Sequence, residues 1–210
     1  MSCSVDRAEA PRVDERLSHR LDDWLRGDEE KTVGSLIDLF GSKSFAILFV
    51  LLLAVPALPL PTGGGTHVFE LIAMLVALQL IANREKIWLP QRWCRIVIAG
   101  EGQGRLIGAL MRVIRRLERV SRPRLAFPFD HSLSNVVFGS LVVAGSLGAF
   151  LAPPFSGLDT LPALGVVLLS LGVLLEDIAI VVAGIAVGAV GVALEIVLGR
   201  AAVHAIGNLL

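Results

Sequence analysis

His67 and Glu70 stand one helical turn apart at the head of the apolar run "VFELIAMLVALQLIA", directly behind a break that reads "PALPLPTGGGTH". An imidazole and a carboxyl group at this spacing share one face of a helix. Both titrate near neutrality when their surroundings perturb them, so the pair could pass a proton. A carboxylate inside an apolar membrane run is costly unless paired or hydrated, and by default it marks a functional site. The alternative is a Glu70 close enough to lipid headgroups to be wetted. The break offers a second chemistry. Gly63, Gly64 and Gly65 leave backbone N–H groups free just ahead of a helix, an arrangement that can hold an anion such as a phosphate. An ordinary flexible turn would carry the same residues. Pro59 and Pro61 end the preceding run.

Other reactive constellations are missing from the sequence. His19, His67, His131 and His204 are scattered, with no ligand-like spacing to Cys3 or Cys94, so neither a metal nor a cofactor is expected. Both cysteines fall in segments expected in the cytoplasm, where disulfides are rare. The "GEGQG" at 100–104 has no strand before it and no Lys-Ser/Thr after it, so it is a turn and not a nucleotide loop. No nucleophile–base pair or acidic sugar-transfer motif stands out, and an enzyme is not expected. The remaining carboxylates beside apolar runs are Glu176, Asp177 and Glu195.

Composition sets the frame that must position these groups. Of 210 residues, 54% are hydrophobic and 18% charged, and the mean hydropathy is +0.73. The apolar share exceeds that of a soluble domain and is gathered in long runs. The reading is all-α: a polytopic helical membrane protein. Its runs are Ser44–Leu60, Val68–Ala82, Leu133–Leu151, Leu161–Leu175 and Ile178–Leu198. The first two are near or below the roughly 17–25 residues a span needs. They form either two tilted spans or a re-entrant pair, because broken backbone at membrane depth is tolerated only against protein or a wet cavity.

Amphipathic helices flank these runs. Val13, Leu17, Leu21, Trp24 and Leu25 give one ended by Gly27, and Thr32 caps a second, with Leu36, Ile37 and Phe40 as its apolar face and Gly41 as its stop. The pair either packs as a soluble unit or lies in the membrane surface. No short apolar region with a cleavage site precedes it, so a signal peptide is not expected. From Arg84 to Arg124 only Glu85, Glu101 and Glu118 oppose many Lys and Arg. Trp88 and Trp93 in this stretch suit the bilayer interface. Arg105, Arg112, Arg115, Arg116 and Arg119 alternate with leucines, isoleucines and valines at helical spacing, which suits an anionic lipid surface better than nucleic acid. Basic short loops stay inside, which puts residues 84–130 and the N-terminus in the cytoplasm.

The expected domains are therefore 1–43 (N-terminal amphipathic helices), 44–83 (first membrane hairpin), 84–130 (basic segment), 131–200 (second membrane repeat with an extra C-terminal span) and 201–210 (tail). The two Pro/Gly breaks resemble each other. A constant offset sets Pro61 on Pro154, Leu78 on Leu171, and Asn83–Arg84 on Glu176–Asp177. This suggests a two-fold internal repeat of short or broken spans, inverted if one run is re-entrant, as in transporter-like folds. Arg84 and Asp177 would then pair across the axis. Gly184, Gly188 and Gly191 give the last helix a small-residue face for close packing within the chain, or for a homodimer seam.

The order "LIDLFGSKSFAILFVLLLAVPALPLP", then "ALQLIANREKIWLP", then "LGVLLEDIAIVVAG" resembles the bacterial ExoD family of exopolysaccharide-synthesis membrane proteins over roughly residues 12–200. Gly41, the Pro59–Pro61 break, Leu78–Gln79 and Trp88–Pro90 carry the resemblance. Lys43 stands where the family pattern has Arg, and Asn83–Arg84 and Ile87 depart from its Gly-Arg and "PWLP". The resemblance implies an integral bacterial inner-membrane protein linked to exopolysaccharide production, and it brings no catalytic residue set. Expected partners are the bilayer, an anionic or polyprenyl-phosphate lipid, and the polysaccharide machinery. Two mechanisms compete: a non-catalytic assembly or regulatory factor, and a flippase-like handler of a phosphorylated lipid or small solute at the breaks.

Overall fold

The computed structural model describes residues 17–27, 31–58, 66–84, 104–121, 132–152 and 157–207. Their regular elements are all helical. Helix α1 (Leu17–Arg26) buries Leu17, Leu21 and Trp24 and ends where the Gly27 N–H donates to Asp23 O at 2.9 Å. Helix α2 (Val33–Phe40) starts on a capping box. Thr32 Oγ1 accepts from Ser35 N at 3.2 Å, and Ser35 Oγ accepts from Thr32 N at 3.2 Å, so two donors that lack helical partners are satisfied reciprocally. Gly41 stops α2 with φ +52°, a conformation glycine adopts without a Cβ penalty. A 3-10 turn (Gly41–Lys43) then leads into α3 (Ser44–Ala54).

The other helices are α4 (Thr66–Ile81), α5 (Gly104–Val120), α6 (Ser132–Leu151), α7 (Thr160–Leu174) and α8 (Ile178–Gly207). Helix α8 continues past residue 200, where a separate tail had been expected to begin. Helices α3, α4, α6, α7 and α8 are apolar on all sides, whereas α1, α2 and α5 are amphipathic. An apolar helix with no polar face has no register of its own to water, so packing must come from shape. Small residues supply that shape. A Cβ on Gly165 would stand 2.4 Å from Gly188 Cα, and one on Gly191 would stand 2.6 Å from Pro162 Cδ, so α7 and α8 form a hairpin in backbone contact. The small-residue face of α8 is thus used within the chain. Helix α6 crosses α4 antiparallel, with Gly139 against Ala77 and Ile81 at one end and the Phe150 ring against His67 at the other. It runs antiparallel to α7 as well, with Gly145 against Val166 and Gly148 against Pro162.

Two corners are built alike. After α4, Ala82 N donates to Leu78 O (3.0 Å), Asn83 N to Leu80 O (2.9 Å) and Arg84 N to Gln79 O (3.1 Å), with Asn83 at φ +52°. After α7, Leu175 N donates to Leu171 O (2.9 Å), Glu176 N to Val173 O (3.3 Å) and Asp177 N to Gly172 O (2.9 Å), with Glu176 at φ +55°. Each is a left-handed residue closing the helix by a six-residue bond, the usual way of satisfying terminal carbonyls. Each is also held by a polar side chain from the start of a helix in the other half. Lys43 reaches Glu176 at 2.8 Å, and Asn135 Nδ2 donates to Asn83 Oδ1 at 3.0 Å.

The bundle therefore has two distinct ends. At one lie these corners and the amphipathic helices. Trp24 Nε1 donates to Ser35 Oγ at 3.3 Å, joining α1 to α2. Helix α5 joins α1 through Arg115 with Asp22, and through Glu118, whose Oε1 accepts from Ser18 N at 2.7 Å. At the other end α4 and α7 both begin, and Thr66 Oγ1 donates to Asp159 Oδ2 at 3.4 Å. Helices α4 and α7 thus run the same way, as do α3 and α6. An inverted arrangement would start α4 and α7 from opposite ends, whereas here both start from the same end.

Among the described residues two helices are long and apolar enough to cross a membrane, Leu133–Leu151 and Ile178–Ala201, with 33% and 17% of their apolar windows buried. Helices α3, α4 and α7 have 11, 16 and 15 residues. At about 1.5 Å per residue they fall short of a hydrocarbon core of about 30 Å.

Candidate functional site

The break end gathers acidic groups from three elements. Glu70 on α4 has no exposed surface. One of its oxygens, Oε2, lies 2.8 Å from His67 Nδ1, and the other, Oε1, meets no donor among the described residues. The His67 ring packs edge-on to Phe150 of α6, with centroids 5.4 Å apart, which fixes the imidazole against the bundle. In the antiparallel register that sets Gly139 on Ala77 and Phe150 on His67, Ser146 falls level with Glu70. Ser146 is also fully buried, and its Oγ has no partner among the described residues.

Asp159 opens α7 and accepts from Thr66, the first residue of α4. Glu195 comes from α8. The α7–α8 hairpin pairs Gly172 with Val181 and Gly165 with Gly188, and continuing that register brings Glu195 to the level of Asp159. The missing side chain at Gly148 lets Glu195 lean over α6: its Oε2 is 3.6 Å from where a Gly148 Cβ would stand. Its Oε1 is enclosed and has no hydrogen-bond partner among the described residues. Asp159 acts electrostatically on Glu70, and both act on Glu195. Three carboxyl groups thus share one neighbourhood whose facing base is His67. Among the described residues no group of three or more His, Cys, Asp or Glu is arranged to hold a metal ion.

The structure brings together His67 and Glu70 as their spacing implied, and adds Asp159, Glu195, Thr66 and Ser146. Sequence reasoning set Glu195 beside an apolar run without linking it to Glu70, and passed over Asp159. A usable signal existed, since the repeat offset that sets Leu78 on Leu171 also sets Thr66 on Asp159. Pro59, Pro61, Gly63, Gly64 and Gly65 lie outside the described residues. Arg84 is not brought to Asp177. Arg84 is exposed at the α4 corner, whereas Asp177 is buried and caps α8 by accepting from Ala179 N at 2.8 Å. The corner cation is Lys43, which pairs with Glu176 and also donates to the Leu174 carbonyl at 3.5 Å, so its charge serves the end of α7.

On α5, Met111 and Ile114 are buried and Arg112, Arg116 and Arg119 are exposed. Arg115 is committed to Asp22. The Arg105 side chain lies outside the described residues.

Comparison with known proteins places this architecture. The family model described as "Exopolysaccharide synthesis, ExoD" matches residues 17–197. An uncharacterized protein of Synechocystis sp. is 31% identical over 157 residues, covering 73% of this chain and 73% of that protein. Protein ExoD of Rhizobium meliloti is 31% identical over 145 residues, covering 66% of this chain and 58% of the relative's length. No solved structure matches. The family match runs from the first described helix, through both corners, to the turn of α8 that carries Glu195, and on that extent the chain belongs to the ExoD family.

Proposed function

We propose that this chain is a multi-pass protein of a bacterial inner membrane that supports exopolysaccharide synthesis as a non-catalytic assembly or regulatory factor. The family match over residues 17–197 is the observation that carries the exopolysaccharide role. Membrane insertion is supported by side chains that a soluble bundle would hide. Val68, Leu75 and Leu78 on α4 and Val182, Val190 and Val197 on α8 are each more than half exposed. Rows of large apolar side chains on several helices are expected when lipid is the solvent.

The basic α5 and its partners α1 and α2 sit at the corner end, which the positive-inside rule assigns to the cytoplasm. The breaks and the carboxyl cluster then lie toward the other side. A parallel two-fold repeat, α3–α4 with α6–α7, is supported by the matching corners and by the exchange of partners, α3 on α7 and α6 on α4. The carboxyl groups at the head of α4 argue against a phosphorylated ligand there, because an anion beside Glu70, Asp159 and Glu195 would meet like charge.

A deletion strain tests the role when surface polysaccharide and lipid-linked sugar intermediates are measured together. Loss of both supports assembly or regulation. Accumulated intermediates place the block at transport and overturn the proposal, and unchanged polysaccharide removes the role altogether.

A further inference from the structure

The carboxyl cluster has a consequence in charge. Glu70 is fully buried, with one oxygen on His67 and one that meets no donor among the described residues. The groups facing it can be counted element by element. Helices α3 and α6 carry no ionisable side chain among their described residues, α7 contributes Asp159, α8 contributes Glu195, and α4 itself contributes His67. Arg200 lies further along α8 and is exposed. Among the described residues three carboxyl groups face a single imidazole, and Glu70, the one of them with no exposed surface, is the costly one to keep as an anion.

A second observation does not depend on the acids. Ser146, fully buried and level with Glu70, points a hydroxyl at no described acceptor or donor. Buried polar atoms are normally satisfied, so a buried hydroxyl and a buried carboxyl oxygen at the same level of the bundle, each without a partner among the described residues, point to a small polar species there. Glu70 Oε2 sits 2.8 Å from His67 Nδ1, a separation across which the smallest cation, a proton, can be shared.

We propose that Glu70, with His67, Asp159, Glu195 and Ser146 around it, forms a proton-binding site at the break end of the bundle, exchanging at least one proton with the side of the membrane that the breaks face. The proton moves between Glu70 Oε2 and His67 Nδ1, the one short contact in the cluster. Asp159 and Glu195 keep the site from emptying, because each proton lost adds a repelling charge. Thr66 and Asp159, joined across the two breaks, link the site to the segments on which the helices α4 and α7 begin. The proposal stands on the burial of Glu70 and not on the exopolysaccharide role.

The full-length protein in lipid vesicles can be tested with dicyclohexylcarbodiimide, an apolar reagent that reaches carboxyl groups within a bundle. The reagent takes the carboxyl proton on one nitrogen while the carboxyl oxygen bonds its central carbon. The acyl group then shifts to nitrogen, giving a stable adduct with no leaving group. Peptide mass spectrometry should find the adduct on Glu70 in the native chain, with a yield that rises as pH falls. Glu195→Gln should lower the yield at neutral pH about threefold, since one repelling charge is gone. Sodium at high concentration should not protect. A Glu70 yield that stays at background or is flat with pH overturns the proposal, and so does protection by sodium, which would make the occupant a metal cation. Because the native chain alone gives the decisive reading, a variant that fails to fold does not rescue the idea.

Discussion

Lys43 Nζ stands 2.8 Å from Glu176 Oε1, across 133 residues of chain. The contact ties the 3-10 turn ahead of α3 to the corner between α7 and α8, and Lys43 also reaches the last carbonyl of α7. Both side chains are about one-third exposed, so solvent weakens the attraction. Lys43→Ala should therefore cost about 1 kcal/mol, and the double swap Lys43→Glu with Glu176→Lys should recover part of it. Glu176→Gly should cost less than Glu176→Gln, because glycine relieves the φ of +55° while the ion pair is lost in both. Chemical unfolding in detergent micelles reads all four variants. Equal losses for Glu176→Gly and Glu176→Gln would show that the backbone there is unstrained.

Much of this corner could be read in the chain. Thr32 and Gly41 announced both ends of α2 through their own chemistry, and the constant offset between halves aligned Asn83 with Glu176, the two residues that turn out to share a left-handed backbone. Partners across helices were not legible. Helices α4, α6, α7 and α8 are apolar on every side, so periodicity names no buried face and cannot say that Glu195 and Glu70 converge. The pairing of Arg84 with Asp177 failed for a related reason. Offset alone set the two residues together, but Asp177 is buried as the cap of α8 while Arg84 stays exposed after α4.

The α7–α8 hairpin is held at backbone distance. A methyl group on Gly165 would sit 2.4 Å from Gly188 Cα and 2.9 Å from Gly184 O, atoms that cannot swing aside. Gly165→Ala should destabilise by about 3 kcal/mol, at the upper end for overpacking. Gly199→Ala on the same helix pair meets nothing within 4 Å and should be neutral or slightly stabilising, since alanine favours the helix. Thermal unfolding or limited proteolysis separates the two. Similar behaviour of both variants would mean the hairpin is loose.

The arginines of α5 divide into two kinds. Arg115 is engaged with Asp22, and Glu118 caps α1 through Ser18, so these two hold α1. Arg112, Arg116 and Arg119 are exposed and can meet anionic lipid, at about 1 kcal/mol per charge near the surface, although Arg112 Nε also donates to the Gly108 carbonyl at 3.2 Å. In nanodiscs, amide exchange in α5 should be slower in anionic than in zwitterionic lipid. Replacing Arg112, Arg116 and Arg119 by Gln should abolish that difference. Arg115→Gln should instead speed exchange in α1 in both lipids. A lipid effect that survives the triple replacement would assign membrane contact to another surface.

The two ends of the bundle make opposite demands on labelling. The corner end carries the basic α5, and the break end carries Asp159, bonded to Thr66. If the basic end is cytoplasmic, a thiol beside Asp159 faces the other side. With Cys3 and Cys94 replaced, Leu158→Cys should react with a membrane-impermeant maleimide in intact cells whose outer membrane is opened. Ser121→Cys, at the end of α5, should react only after the inner membrane is broken. If Leu158→Cys were instead protected until the inner membrane is broken, the two ends of the bundle would not face opposite sides of the membrane, and the carboxyl cluster beside Asp159 would lie on the cytoplasmic side.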